Sequence, residues 1–179
     1  MRFVPPFEIR PATVADAAAA CAVLRRSIAE CCAREHGDDP AILSAWLGNK
    51  TPQMVANWFL SPRNFPLVAL EAGEVVGVAL LTRAGKLALC YLLPQACRRG
   101  LGDALLGRLE EQAALWEITL LQVHSTPSAA AFFARHGYSA CGNVRAPYGL
   151  DTVQFWKRLG AGAPAPGSPR QRFCRCNLS

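Results

Sequence analysis

No stretch of this sequence approaches the roughly 18 uncharged apolar positions that a membrane-crossing helix requires, so no membrane partner is expected. The opening residues, Met-Arg-Phe-Val-Pro-Pro, lack the apolar segment of an export signal, and a cytoplasmic location is expected. No internal repeat is evident. Dense positive charge is missing as well. The net charge is +6, but three of the nineteen basic residues (Arg170, Arg172, Arg175) lie near the C-terminus. Up to residue 160 the basic residues outnumber the thirteen acidic ones by only three. That surplus is too small and too scattered for a nucleic-acid surface, although it suits a polyphosphate ligand. Eight cysteines are present without the regular spacing of a disulfide framework. Cys21, Cys90 and Cys141 lie in apolar segments, so reduced, buried thiols are expected. Cys32 and His36 stand four apart and Cys174-x-Cys176 adds two thiols, but nothing brings the tail to that helix, and no metal site is expected.

What is present is enough apolar sequence for one domain of ordinary size, 51% of 179 residues. Its organising stretch is Leu89 to Leu106. An apolar run stops at Pro94, a basic turn with two glycines follows, and an amphipathic helix begins in which Leu101, Leu105 and Leu109 recur on one face. Arg98, Arg99, Gly100 and Gly102 fall at the start of that helix. Unbonded N–H groups and the positive end of the helix dipole favour a phosphate there. Glycines allow close approach of the backbone, and arginines add charge-assisted hydrogen bonds. Two nucleotide motifs do not fit. Gly102 is followed by Asp103-Ala104 where a Walker loop needs Lys-Ser/Thr, and Leu105 stands where the dinucleotide fingerprint needs a small residue.

In chain order, Phe7-Glu8-Ile9-Arg10 reads as a strand, and Thr13 with Asp16 starts a long Ala-rich helix to about Arg34. Residues 35–40 read as an acidic loop. Helices follow around Trp46 and after Thr51-Pro52. Residues 65–70, 75–81 and 87–93 read as three antiparallel strands, which excludes a Rossmann first unit. Helix 101–115, a strand at 118–123, a helix at 129–135 stopped by Gly137, and strands near 138–141 and 152–157 complete an α+β order. From Gly160 the chain turns to Gly, Ala, Pro and Arg and reads as a disordered extension to residue 179.

Cys97-Arg98-Arg99-Gly100-Leu101-Gly102, set between a strand and an apolar helix, resembles motif A of the GNAT superfamily of acyl-CoA-dependent N-acetyltransferases. The family pattern is Gln/Arg-x-x-Gly-x-Gly/Ala, and Cys97 departs from its first position. Ser125 to Tyr138, with Phe132-Phe133 and Gly137-Tyr138, is similar to the family's late segment ending in Phe-Tyr-x-x-x-Gly-Phe. The His36–Pro40 loop and the Trp46–Pro52 run are similar to bacterial members. The order of elements over residues 7–158 matches the family's topology.

The resemblance implies a single domain over residues 1–159 with a mixed, mostly antiparallel sheet flanked by helices. It implies direct attack of a primary amine, on a small molecule or peptide, upon acetyl-CoA as co-substrate, without metal. It places the pantetheine along Cys90, Tyr91 and Leu92, with the Leu92 N–H as oxyanion donor. The pyrophosphate falls on the amides of Arg98, Arg99, Gly100, Leu101, Gly102 and Asp103. Phe133 takes the position of the family's proton-donating Tyr, and Thr126 that of a cofactor-contacting Asn, though Thr126 also reads as a helix cap. Tyr91, or Ser125 through water, is left as proton donor. Glu35, His36, Asp38 and Asp39 border the acceptor site, and His124 is a further candidate base. A weakly active acyl-CoA-binding module is the alternative. A homodimer through the late strand at 152–157 is a further expectation.

Overall fold

The computed structural model describes residues 7–160. Strand β1 (Glu8–Pro11) is followed by four helices: α1 (Ala17–Cys31), α2 (Ala33–His36), α3 (Pro40–Leu47) and α4 (Pro52–Leu60). Then come β2 (Asn64–Glu71), β3 (Glu74–Thr82) and β4 (Leu87–Leu92), the long helix α5 (Leu101–Leu115), β5 (Leu120–Ser125), α6 (Ala130–Arg135), β6 (Ser139–Arg145) and β7 (Asp151–Arg158).

The helix starts follow from local chemistry. The Asp39 carboxylate accepts the Ala41 and Ile42 N–H groups at 2.8 and 3.4 Å with Pro40 in the first turn, and the Thr51 hydroxyl accepts the Met54 N–H at 3.2 Å ahead of Pro52. Before α1, the Thr13 N–H donates to Asp16 at 2.8 Å, and Arg10 grips the same carboxylate with two nitrogens at 2.8 Å. The hydrogen bonds from Arg10 hold the Asp16 carboxyl well below the usual carboxylate range.

The first helix is shorter than its composition suggests. It stops at Cys31, and a separate turn, α2, holds Glu35 and His36 in helix rather than in the expected loop. Gly37, with φ of +57°, ends that turn. Residues 118–119, expected to open a strand, are used differently. Glu117 adopts φ of +57°, and the Ile118 N–H closes the end of α5 on Ala113 O at 2.9 Å. This six-to-one bond delays β5 to Leu120.

The expected α+β fold, mostly antiparallel and flanked by helices, is present, with its strands divided into two antiparallel sheets ordered β1-β2-β3-β4 and β5-β7-β6. Among the described residues they are joined by a single parallel bridge, Lys86 to Gln122. There the Gln122 N–H donates to Gly85 O at 2.8 Å. Gly85 is required at that point: its φ is +81°, and a Cβ would stand 2.4 Å from Leu120 O. Past the bridge β4 and β5 diverge. Strand β7 lies between β5 and β6, so among the described residues both edges of the 152–157 strand are paired within the chain.

Helices α1 and α4 pack on one face of the larger sheet and α5 on the other. Consecutive β4 side chains show this, because Tyr91 packs with Ile28 and Cys32 while the Leu92 side chain lies against Gly77 and Gly102. Leu101, Leu105, Leu106, Leu109 and Ala113 bury the inner face of α5 in the main core, as their spacing predicts. The tail from residue 161 onward, with Cys174 and Cys176, lies outside the described residues.

Candidate active site

Where β4 and β5 part, an open cavity of about 630 Å³ forms between the sheets. Its walls are β4 from Leu87 to Leu92, the turn at Pro94 and Cys97, the start of α5, the end of β5, α6, and the last turn of α1 at Ser27, Cys31 and Cys32.

The inner wall is backbone. Leu93 donates its N–H to Val76 O at 2.8 Å, and Gly77 stands opposite Leu92. Hydrogen-bonded and non-bonded pairs alternate in an antiparallel ladder, so the N–H and C=O of Leu92, and those of Cys90, turn away from β3. They face the gap that β5 has left. Among the described residues this strand edge has no strand partner past the bridge, and it lines the cavity.

One end of the cavity is a ring of amides. Arg98 and Gly100 adopt φ of +58° and +80°. Ala104 makes the first α-helical bond, to Gly100 O at 3.0 Å. Among the described residues the N–H groups of 98–103 have no backbone acceptor. This is a helix N-terminus opened by a left-handed turn, a strong anion site. Gly102 packs beneath α6, where a Cβ would be 3.3 Å from the Phe132 ring. The two arginines separate. Arg98 lines the cavity, whereas Arg99 turns outward to a two-pronged ion pair with Glu71. The Asp103 carboxylate receives Arg135 at 3.2 Å and the His136 Nε2 at 2.9 Å, tying α5 to α6, and is not itself turned to an anion.

The opposite wall carries Phe133, buried against Phe132, Tyr138 and Phe155, with no hydroxyl to offer. The nearby Tyr138 hydroxyl donates to Glu110 at 2.9 Å. Thr126 both lines the cavity and caps the following turn, accepting the Ala129 N–H at 3.3 Å. Ser125 lines the cavity too, but its hydroxyl donates to Thr126 O at 2.8 Å.

Tyr91 and His124 both border the cavity. Burial pushes the Tyr91 phenol well up, so it is protonated at neutral pH. Its surroundings are aromatic: Trp46 and Tyr148, stacked on each other at 5.0 Å between ring centres, belong to the same cluster. Burial, and then Lys86, lower the His124 pKa, which favours the neutral ring with a nitrogen free to accept a proton.

The expected acidic rim is not one site. His36 is buried, with Nε2 at 3.2 Å from Ala29 O and Nδ1 accepting the Asp38 N–H at 3.1 Å, so it serves the turn and faces no substrate. Asp39 caps α3 and the Asp38 side chain points to solvent. Glu35 alone reaches across the wedge. Its Oε1 accepts the N–H of cavity-lining Ser128 at 2.9 Å, while its Oε2 is buried without a partner among the described residues.

Sequence reasoning missed Ser27, Cys31 and Cys32 as wall residues. The available signal was Ser27 and Cys31, one turn apart near the end of an otherwise alanine-rich helix. The thiols are less uniformly buried than expected: Cys21 and Cys32 are buried, Cys90 and Cys97 half-buried, and Cys31 exposed.

No curated protein matches this sequence. Solved structures do. A GCN5-related N-acetyltransferase from Rhodopseudomonas palustris superposes with a TM-score of 0.77 at 26% identity, covering 89% of this chain and 99% of that one. The PaiA N-acetyltransferase of Thermoplasma acidophilum, solved with coenzyme A, gives 0.67 at 16% identity over 83% and 97% of the two chains. YncA of Salmonella typhimurium, solved with acetyl-CoA, gives 0.66 at 19% over 90% and 99%. These last two show a shared fold. The sequence profile of the acetyltransferase (GNAT) domain matches residues 32–159, from the end of α1 past the end of β7. The chain belongs to the GNAT acetyltransferase family.

Proposed function

We propose that this chain transfers the acetyl group of acetyl-CoA to a primary amine by direct attack on the thioester. The observation that carries this reading is one cavity with an unbonded amide ring at its end and an unpaired strand edge along its side. Acetyl-CoA supplies the activated acetyl thioester. The amides of 98–103, with the Arg98 side chain, hold the pyrophosphate. The β4 edge at Cys90 and Leu92 takes the pantetheine amides as a neighbouring strand would be taken. The Leu92 N–H then points where negative charge develops on the attacked carbonyl oxygen.

Proton traffic falls to side chains. His124, neutral and at the cavity wall, accepts a proton from the amine, directly or through water. Tyr91, kept protonated by burial, gives one to the departing thiolate, and Ser125 is the second donor. The partnerless Glu35 Oε2 supports an acceptor that arrives as a cation, because a buried carboxylate oxygen gains most from an ammonium.

Phe133, in the place of a hydroxyl-bearing residue, favours a second reading: a module that binds acyl-CoA with little turnover. Calorimetric titration with acetyl-CoA, followed by a screen of amines for thiol release, separates the two. Binding with release supports the enzyme, binding without release from any amine supports the module, and no binding removes both.

A further inference from the structure

Four cysteines line the cavity: Cys31, Cys32, Cys90 and Cys97. Two are chemically quiet, because burial pushes the thiols of Cys32 and Cys90 up to about 12, where thiolate is scarce at neutral pH. The other two differ. Cys31 is exposed at the end of α1, and Cys97 is half-buried in the turn before the amide ring. The Cys31 sulfur lies 4.0 Å from Leu92 O, and the Cys97 thiol donates to Leu93 O at 3.4 Å. The two sulfurs are therefore held over carbonyls of consecutive residues, close enough for the Cys31 sulfur to influence the Cys97 thiol. Burial and then the Cys31 sulfur raise the Cys97 thiol, so Cys97 keeps its proton while Cys31 is the accessible nucleophile. Neither thiol has a part in acetyl transfer as described above.

We propose that Cys31 and Cys97 form a reactive dithiol at the cavity wall, a modification site for small-molecule disulfides that closes to a Cys31–Cys97 bond. The Cys31 thiolate attacks one sulfur of a disulfide RSSR, forming Cys31–S–SR and releasing one thiolate, which takes a proton from water. With the charge on Cys31 gone, Cys97 loses its proton to solvent more readily, attacks the Cys31 sulfur and expels the second thiolate. The dithiol is oxidised by two electrons and RSSR is reduced to two RSH. Sulfurs gathered over the carbonyls of consecutive residues are placed to meet by side-chain rotation. The amide ring beside Cys97 selects among disulfides, since oxidised coenzyme A carries phosphates for it and oxidised glutathione does not. That preference rests on the acetyl-CoA reading; the dithiol itself does not.

The test uses the full reduced chain with oxidised glutathione and, separately, oxidised coenzyme A, read by peptide mapping that distinguishes Cys174 and Cys176. The expected product with either probe is a peptide linking Cys31 to Cys97. Cys97→Ser is expected to stop at a stable mixed disulfide on Cys31, and Cys31→Ser to leave Cys97 unmodified. Thiols at 31 and 97 that stay reduced, or that pair elsewhere, overturn the proposal. Oxidised coenzyme A is expected to react about tenfold faster than glutathione disulfide, because docking raises its local concentration. Equal rates with a linked 31–97 peptide would leave the dithiol standing and remove phosphate docking from it. The Cys97→Ser adduct with coenzyme A should lose acetyl-CoA binding in calorimetry, and reductant should restore it; an adduct that still binds acetyl-CoA places the captured thiol outside the cavity and overturns its seat there.

Discussion

The two ends of the cavity are built from different materials. At the amide ring the exposed polar groups are main-chain N–H donors of 98–103, set by a left-handed turn and a helix start. At the Tyr91 end they are side chains from separate elements, Tyr91 on β4, His124 on β5 and Ser27 on α1, with Glu35 of α2 bonded to the lining residue Ser128. The first arrangement tolerates changes of side-chain identity, so Cys97 can stand where the family pattern has Gln or Arg. The second depends on each residue and on the tertiary fold that gathers them. Damage at the first end should therefore appear in cofactor binding, and damage at the second in turnover.

The largest effect is expected from Gly100→Asp combined with Gly102→Asp. A carboxylate at 100 would then stand in open space beside the ring of N–H groups and oppose the pyrophosphate, while one at 102 would have to displace the Phe132 ring; like charges so juxtaposed cost several kcal/mol, which is a loss of about 1,000-fold in acetyl-CoA affinity. Gly100 also holds φ of +80°, so a melting curve must accompany the titration, with Gly100→Ala as the control for backbone strain alone. Retained binding in a folded double variant would move the phosphate elsewhere and dissolve the contrast between the two ends.

Tyr91→Phe probes the other end. Loss of a general acid lowers turnover by about 100-fold while calorimetric affinity for acetyl-CoA stays unchanged. Full turnover would pass the role to Ser125, whose hydroxyl must first leave Thr126 O.

The same division of materials decided what could be read from the sequence. Helix α5 and its glycine turn announce themselves through local spacing, because a helix start and a positive φ are properties of neighbouring residues. The helix starts at Thr51-Pro52 and Asp39-Pro40 are legible for the same reason. The unpaired edge at Leu92 is not a local property. It depends on β4 and β5 parting after the bridge at Lys86, which the neighbouring Gly85 makes room for, a residue that in sequence reads only as a turn. Nor is the fate of the acidic run at 35–39 legible, since a Gly37 turn sends His36 inward, leaves Asp38 in solvent and makes Asp39 a cap. The charges of Arg98 and Arg99 look equivalent in sequence, and only the partner Glu71, far along the chain, tells them apart.

A smaller effect is expected from pH. Burial lowers the His124 pKa, so the neutral base persists below the ordinary histidine range and is lost only as pH falls further. kcat/KM should therefore hold through neutral pH and decline on the acid side, and His124→Gln should remove that limb and lower turnover by about tenfold, water remaining as a weaker base. An unchanged acid limb in the variant would assign it to another group, with Glu35 next in line because of its partnerless oxygen.

The smallest effects sharpen the comparison most at the amide ring itself. If main-chain donors do most of the binding there, neither arginine should be decisive, and the two should still differ. Arg98 faces the cavity at a solvent-exposed position, where a charge-assisted contact with phosphate is worth a fraction of a kcal/mol to about 1, so Arg98→Ala should weaken acetyl-CoA binding by about threefold. Arg99 is held on Glu71, on the other side of the loop. Its removal frees that carboxylate rather than a phosphate contact, so Arg99→Ala should change affinity by less than about twofold. The two titrations, repeated at higher salt, should converge as the Arg98 contribution is screened. A large loss from Arg99→Ala would mean that its side chain leaves Glu71 for the ligand, and the ring would then depend on side-chain charge as the far end does.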